Sequence, residues 1–70
     1  MKEFNKLLSE VLEIDEINDE QRFEDIEGWG SLSRLCILAT VEDHYKISIT
    51  DKDILNAGTV GNLKKLIKNK

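Results

Sequence analysis

Three stretches of this 70-residue chain repeat apolar residues at helical spacing, and no stretch alternates for long enough to build a sheet. Phe4, Leu7, Leu8, Val11 and Leu12 fall at i, i+3, i+4, i+7 and i+8, which predicts a first helix over about 2–13. The period returns in Leu32, Leu35, Leu38, Ala39, Val41 and Tyr45, for a second helix over about 31–45, and again in Val60, Leu63, Leu66 and Ile67. "KISI", beginning at Lys46, alternates but has no strand to pair with. Thr50, with Asp53 three residues on, resembles a weakened capping box opening a short helix that carries Ile54 and Leu55. Asn56, Ala57 and Gly58 end that helix, and Thr59 caps the last one. The expected fold class is all-α: three main antiparallel helices and a short third helix around one small core, with residues 1–70 forming a single domain. The stripe Leu35, Leu38, Val41, Ile49, Ile54, Leu63 and Ile67 is the expected core between the helices.

Between the first two helices the period fails. From Asp15 to Gly30 acidic residues dominate, Ile17, Phe23 and Ile26 are isolated, and two glycines bracket the sole tryptophan. With no proline in the chain, a loop this long must be held by side-chain burial, for which Phe23, Ile26 and Trp29 are the candidates. Loops of this length in small domains are usually functional or disordered.

Size and charge exclude several classes of function. A chain this short buries only about 60% of its unfolded surface, too little to enclose a deep catalytic pocket. The longest apolar run, Leu35 to Ala39, is far below the ~20 residues that span a bilayer. No apolar segment follows Met1, Lys2, Glu3 and Phe4, so no signal peptide is expected and the chain reads as a cytoplasmic monomer that binds no membrane. Cys36 and His44 are each alone, which leaves no disulfide, no zinc spacing and no nucleophile–base set. The net charge of −4 is unevenly spread: residues 1–30 carry ten acids against three bases, whereas residues 51–70 carry five bases against two acids. The acidic part repels nucleic acid, and Lys64, Lys65, Lys68 and Lys70 suit a helix C-terminus.

One short stretch bears on function. In "EGWGSLSRL", residues 27–35, Ser31 stands where the second helical pattern begins. A serine there can accept an N–H from the first turn as a cap, at about 1 kcal/mol. The same place, at the positive end of the helix dipole, also suits a hydroxyl carrying a phosphoester. Periodicity does not choose between the two.

The segment "FEDIEGWGSLSRLCILATVEDHY", Phe23 to Tyr45, resembles the prosthetic-group region of acyl carrier proteins, whose mark is Asp-Ser-Leu at the start of helix II. It is especially similar to the Trp-Asp-Ser-Leu variant of small stand-alone carriers. The likeness continues through Glu42, Asp43 and Tyr45, then "KISIT", a short helix and "TVGNLKKLI". It implies an acyl-carrier-like four-helix bundle with Ser31 as the attachment serine. A phosphopantetheinyl transferase, using coenzyme A and magnesium, would place a 4′-phosphopantetheine arm there. Acyl or aminoacyl groups held as thioesters would then be presented to loading and downstream biosynthetic enzymes, the carrier itself being no enzyme. Gly30 stands where the family has aspartate, a carboxylate that helps the transferase recognise the site. The alternative is therefore an unmodified carrier-like interaction module.

The same resemblance implies roles for neighbouring positions, each beside a plainer one. Leu32 is the apolar residue of the motif or simple packing, and Trp29 a loop anchor or a partner contact. Glu42 and Asp43 keep the acidic character that carriers present to basic patches, or are a solvated helix face. Ser33, Arg34, Cys36 and His44 add no negative charge there, which implies a dedicated pathway partner. Cys36, next to Leu35, reads as a small, partly buried apolar side chain, and His44 as a cation suited to the end of the helix.

Overall fold

The computed structural model describes residues 3 to 69, and four α-helices succeed one another among them: α1 Phe4–Val11, α2 Ser31–Tyr45, α3 Asp51–Ala57 and α4 Val60–Lys68. Met1, the expected helical Lys2 and Lys70 of the basic cluster lie outside the described residues. A 3-10 turn, Phe23–Asp25, interrupts the long connection between α1 and α2. The segment from Lys46 to Thr50 is irregular, as its lack of a partner strand requires.

Helix ends follow their local chemistry. The Thr50 hydroxyl accepts the Asp53 N–H while the Asp53 carboxylate accepts the Thr50 N–H, a complete capping box with aspartate in the glutamate position. Thr59 accepts the Asn62 N–H and opens α4 in the same way. The first helix is shorter than its apolar pattern: Leu12 is its C-cap, and Glu13 leaves with φ +58°.

Phe4 and Leu8 of α1, Ile37 and Val41 of α2, Ile54 of α3, and Val60, Leu63 and Ile67 of α4 are buried together. Ile17, Phe23, Ile26 and Ile49 join them from the connections. Each such side chain contributes about 1.5–3 kcal/mol by leaving water, and a domain this small has few to spare.

Two expectations on α2 are corrected. Leu35, read as core, is 60% exposed, and the fully buried residue is Ile37, which the expected stripe omitted. Two residues turn a helix by about 200°, so the side chains at 35 and 37 point to opposite sides. Because α2 carries apolar residues on both sides, the period identified the helix without identifying its inner face. Cys36, read as partly buried, is likewise exposed. In α3, Ile54 is buried but Leu55 is 58% exposed.

The acidic connection is held by more than side-chain burial. Phe23 and Ile26 are buried as expected, yet backbone groups also lash it to the α3–α4 junction. Phe23 N–H donates to the Gly58 carbonyl, Val60 N–H to Gln21 and Gly61 N–H to Asp19, at 3.0, 3.0 and 2.8 Å. An isolated antiparallel bridge, Arg22 to Thr59, lies within this strip.

Candidate functional site

The chain enters α2 through a turn that only a few residue types can make. Trp29 N–H donates to the Ile26 carbonyl at 3.1 Å, and Gly28 within that turn has φ +77°, a left-handed conformation that disfavours any residue with a Cβ. The Trp29 ring stacks on the buried Phe23 ring with centroids 5.1 Å apart and planes 15° from parallel. Such a pair is worth about 0.5–1.5 kcal/mol beyond its buried area, so Trp29 anchors the loop just before the helix.

Ser31 does not cap α2. Gly30 occupies the N-cap position in extended conformation, and Ser31 is the first helical residue. The first intrahelical bond runs from Arg34 N–H to the Gly30 carbonyl at 3.2 Å, which leaves the N–H groups of Ser31, Leu32 and Ser33 without an intrahelical acceptor. Ser31 is exposed, whereas the nearby Ser33 is half-buried and its hydroxyl donates to the Gly28 carbonyl at 3.5 Å. The arrangement is an accessible hydroxyl at the positive end of a 15-residue helix, an environment that favours a phosphate. A Cβ at Gly30 would meet nothing within 4 Å, so this position has room for a side chain. These residues fit a phosphoester on Ser31.

The other expected positions are distributed along the same helix. Leu32 is 73% exposed and follows Ser31 directly; its packing alternative is thereby excluded. Glu42 and Asp43 are exposed near the opposite end and, with Ala39, Lys46 and Ser48, border a shallow groove. Arg34 is tied across to Asp51 at the start of α3, with Nε 2.5 Å from the carboxylate. His44 is exposed in the last turn. Among the described residues no three acidic, histidine or cysteine side chains converge as a metal site, and no helix is long and apolar enough to cross a membrane.

One positioning residue was not read from the sequence. The Asp19 carboxylate accepts hydrogen bonds from Asn5 Nδ2 at 2.8 Å and Lys64 Nζ at 2.7 Å, joining the acidic connection to α1 and α4 at once. The Lys64 hydrogen bond, then that of Asn5, holds its carboxyl below the ordinary value. Gly61, a glycine inside a helix, was the available signal, since such a residue marks a close backbone approach.

The family model described as the phosphopantetheine attachment site matches residues 3–67, and the chain belongs to that family. Its fold is that of the acyl carrier proteins. The solution NMR structure of a holo acyl carrier protein from Geobacter metallireducens superposes with a TM-score of 0.82 at 27% identity, covering 99% of this chain and 82% of that one. No curated protein matches the chain at a significant level. Family and fold together make this chain a carrier for a phosphopantetheine arm rather than an enzyme.

Proposed function

We propose that Ser31 carries the 4′-phosphopantetheine arm and that residues 1–70 act as one cytoplasmic, monomeric carrier domain. The observation that supports this reading is the exposed Ser31 hydroxyl at the start of α2, not used as a cap, in a chain of the phosphopantetheine-attachment family. In the loading step the Ser31 oxygen forms a bond to the phosphorus next to pantetheine in coenzyme A. The bond from that phosphorus to the bridging oxygen breaks, 3′,5′-adenosine bisphosphate leaves, and the serine proton passes to a base of the transferase. The helix N-terminus favours the phosphodiester charge so placed. When bound, the arm supplies a terminal thiol that holds acyl or aminoacyl groups as thioesters. The chain's own part is presentation, with Trp29 and Leu32 beside the serine and Glu42 and Asp43 further along α2 meeting the transferase and the biosynthetic enzymes.

A second reading, an unmodified carrier-like interaction module, is supported by Gly30, which provides no carboxylate beside Ser31. Intact mass after incubation with coenzyme A, magnesium and a broad-specificity phosphopantetheinyl transferase separates the two. The carrier reading requires a gain of one phosphopantetheine that is lost in Ser31→Ala. No gain in the native chain, with a gain in Gly30→Asp, supports the interaction module instead.

A further inference from the structure

Arg34 is the charged side chain nearest to Ser31 along the chain, and the fold uses only part of it. From Gly28 to Val41 no other residue is charged. Its Nε lies 2.5 Å from the Asp51 carboxylate at the start of α3, and the side chain is only 20% exposed. A guanidinium carries five N–H donors in one plane, and Nε supplies one of them. The two terminal nitrogens, which carry the rest, make no hydrogen bond among the described residues.

Residues three apart on a helix are neighbours, with Cβ atoms about 5–6 Å from each other. Ser31 and Arg34 are such a pair. Side chains on a helix lean toward its N-terminus, so the arginine leaves its backbone in the direction of the turn that holds the serine. The acids nearby are engaged elsewhere or lie on another side of α2. Glu13 and Glu27 border a hollow with Leu32, Ser33 and Cys36, and Leu32 lies about 200° round the helix from Arg34. Glu24 is paired with Arg22. Asp51, beside the exposed Lys52, meets the guanidinium through Nε alone. With Gly30 in the cap position, no carboxylate competes for the arginine next to Ser31 itself.

We propose that Arg34 holds the phosphodiester of an arm on Ser31, keeping Asp51 on Nε and turning its terminal nitrogens to the phosphate oxygens. A planar fork of donors matches a phosphate as it does a carboxylate. The inference rests on the reading of Ser31 given above and adds the residue that fixes the first atoms of the arm. It also connects the arm to α3, because one guanidinium then joins the phosphate to Asp51.

The test reads the arginine and the phosphorus directly. The chain has two arginines, so in the 15N-labelled protein the Nε–H signal of Arg22 is the internal control for that of Arg34. On loading with coenzyme A, magnesium and a broad-specificity phosphopantetheinyl transferase, the Arg34 signal should move and the Arg22 signal should stay. The 31P resonance of the arm should differ between the native chain and Arg34→Gln, with Arg34→Lys, which keeps the charge but not the fork, in between. Asp51→Asn should retain the arm-dependent shift of Arg34; its loss there would trace the shift to movement of α3 and overturn the inference. An Arg34 signal indifferent to the arm, or a 31P resonance indifferent to Arg34→Gln, would also overturn it. Amide dispersion verifies the fold of each variant. A synthetic full-length chain with phosphoserine at position 31 frees the test from the transferase. In it, Arg34→Gln should raise the midpoint of the phosphate's second ionisation, ordinarily about pH 6, by a few tenths of a pH unit, as expected for an exposed ion pair. An unchanged midpoint would contradict the contact. A raised midpoint in Arg34→Gln, in a protein that accepts no arm from coenzyme A, would leave Arg34 as an anion partner and remove the reading of Ser31.

Discussion

The Gly61 amide donates to the Asp19 carbonyl at 2.8 Å, and a Cβ at position 61 would lie 2.9 Å from that same oxygen. The connection that delivers Ser31 can therefore lie against α4 only because position 61 lacks a side chain. In an open helix interior Gly→Ala stabilises by about 1 kcal/mol. Here the methyl meets backbone that is itself tied down, and overpacking of this kind costs about 1–3 kcal/mol. Gly61→Ala should lose roughly 1–2 kcal/mol in urea unfolding; a gain in stability would contradict the close approach.

The inner face of α2 is testable by a pair of truncations. Ile37→Ala should cost about 2–5 kcal/mol, a large part of the stability of so small a domain, whereas Leu35→Ala should change it by less than about 0.5 kcal/mol. Comparable losses at both sites, read from thermal or urea unfolding, would mean that the helix is rotated from the orientation described.

Asp19 links stability to pH. Its carboxyl is held below the ordinary value of 3.8, first by the Lys64 hydrogen bond and then by that of Asn5. A depressed folded value means a contribution that is fully present above the unfolded value and is lost as pH falls through the folded one. The difference in Tm between the native chain and Asp19→Asn should be constant from neutrality to about pH 5 and shrink below about pH 4. A difference that instead grew on acidification would contradict the assignment.

Gly30→Asp tests how freely the start of α2 accepts a side chain. Gly30 has extended backbone and open space around its Cβ position, so aspartate should fit and cap the helix, raising stability by a few tenths of a kcal/mol. Transfer to Ser31 should be faster in this variant, read as the initial rate of mass gain. A slower rate with the fold intact would mean that the carboxylate is not what the transferase uses.

Much of the architecture was legible because its signals are local. The Thr50–Asp53 box and the Thr59 cap each act within a few residues and appear where the pattern placed them, and the stripe in α1 holds from Phe4 to Val11, one residue short of the pattern's end at Leu12. The register of α2 was not legible, since Leu32, Leu35 and Ala39 compete with Ile37 and Val41 for the same helical period and only the neighbouring helices decide which side is covered. The Asp19 clamp was hidden for a related reason: its partners lie 14 and 45 residues away, beyond any local pattern. At the site, sequence located Ser31 at the helix start but left open whether it caps. The cap position belongs to Gly30, which frees the hydroxyl.

The most direct measurement of the central claim is fragmentation of the tryptic peptide after treatment with coenzyme A, magnesium and the transferase. Cleavage after Arg22 and Arg34 releases Phe23 to Arg34, which holds both Ser31 and Ser33. The geometry predicts one phosphopantetheine on the exposed Ser31 and none on Ser33, whose hydroxyl is turned to the Gly28 carbonyl. A group found on Ser33, or a peptide that stays unmodified, would contradict it.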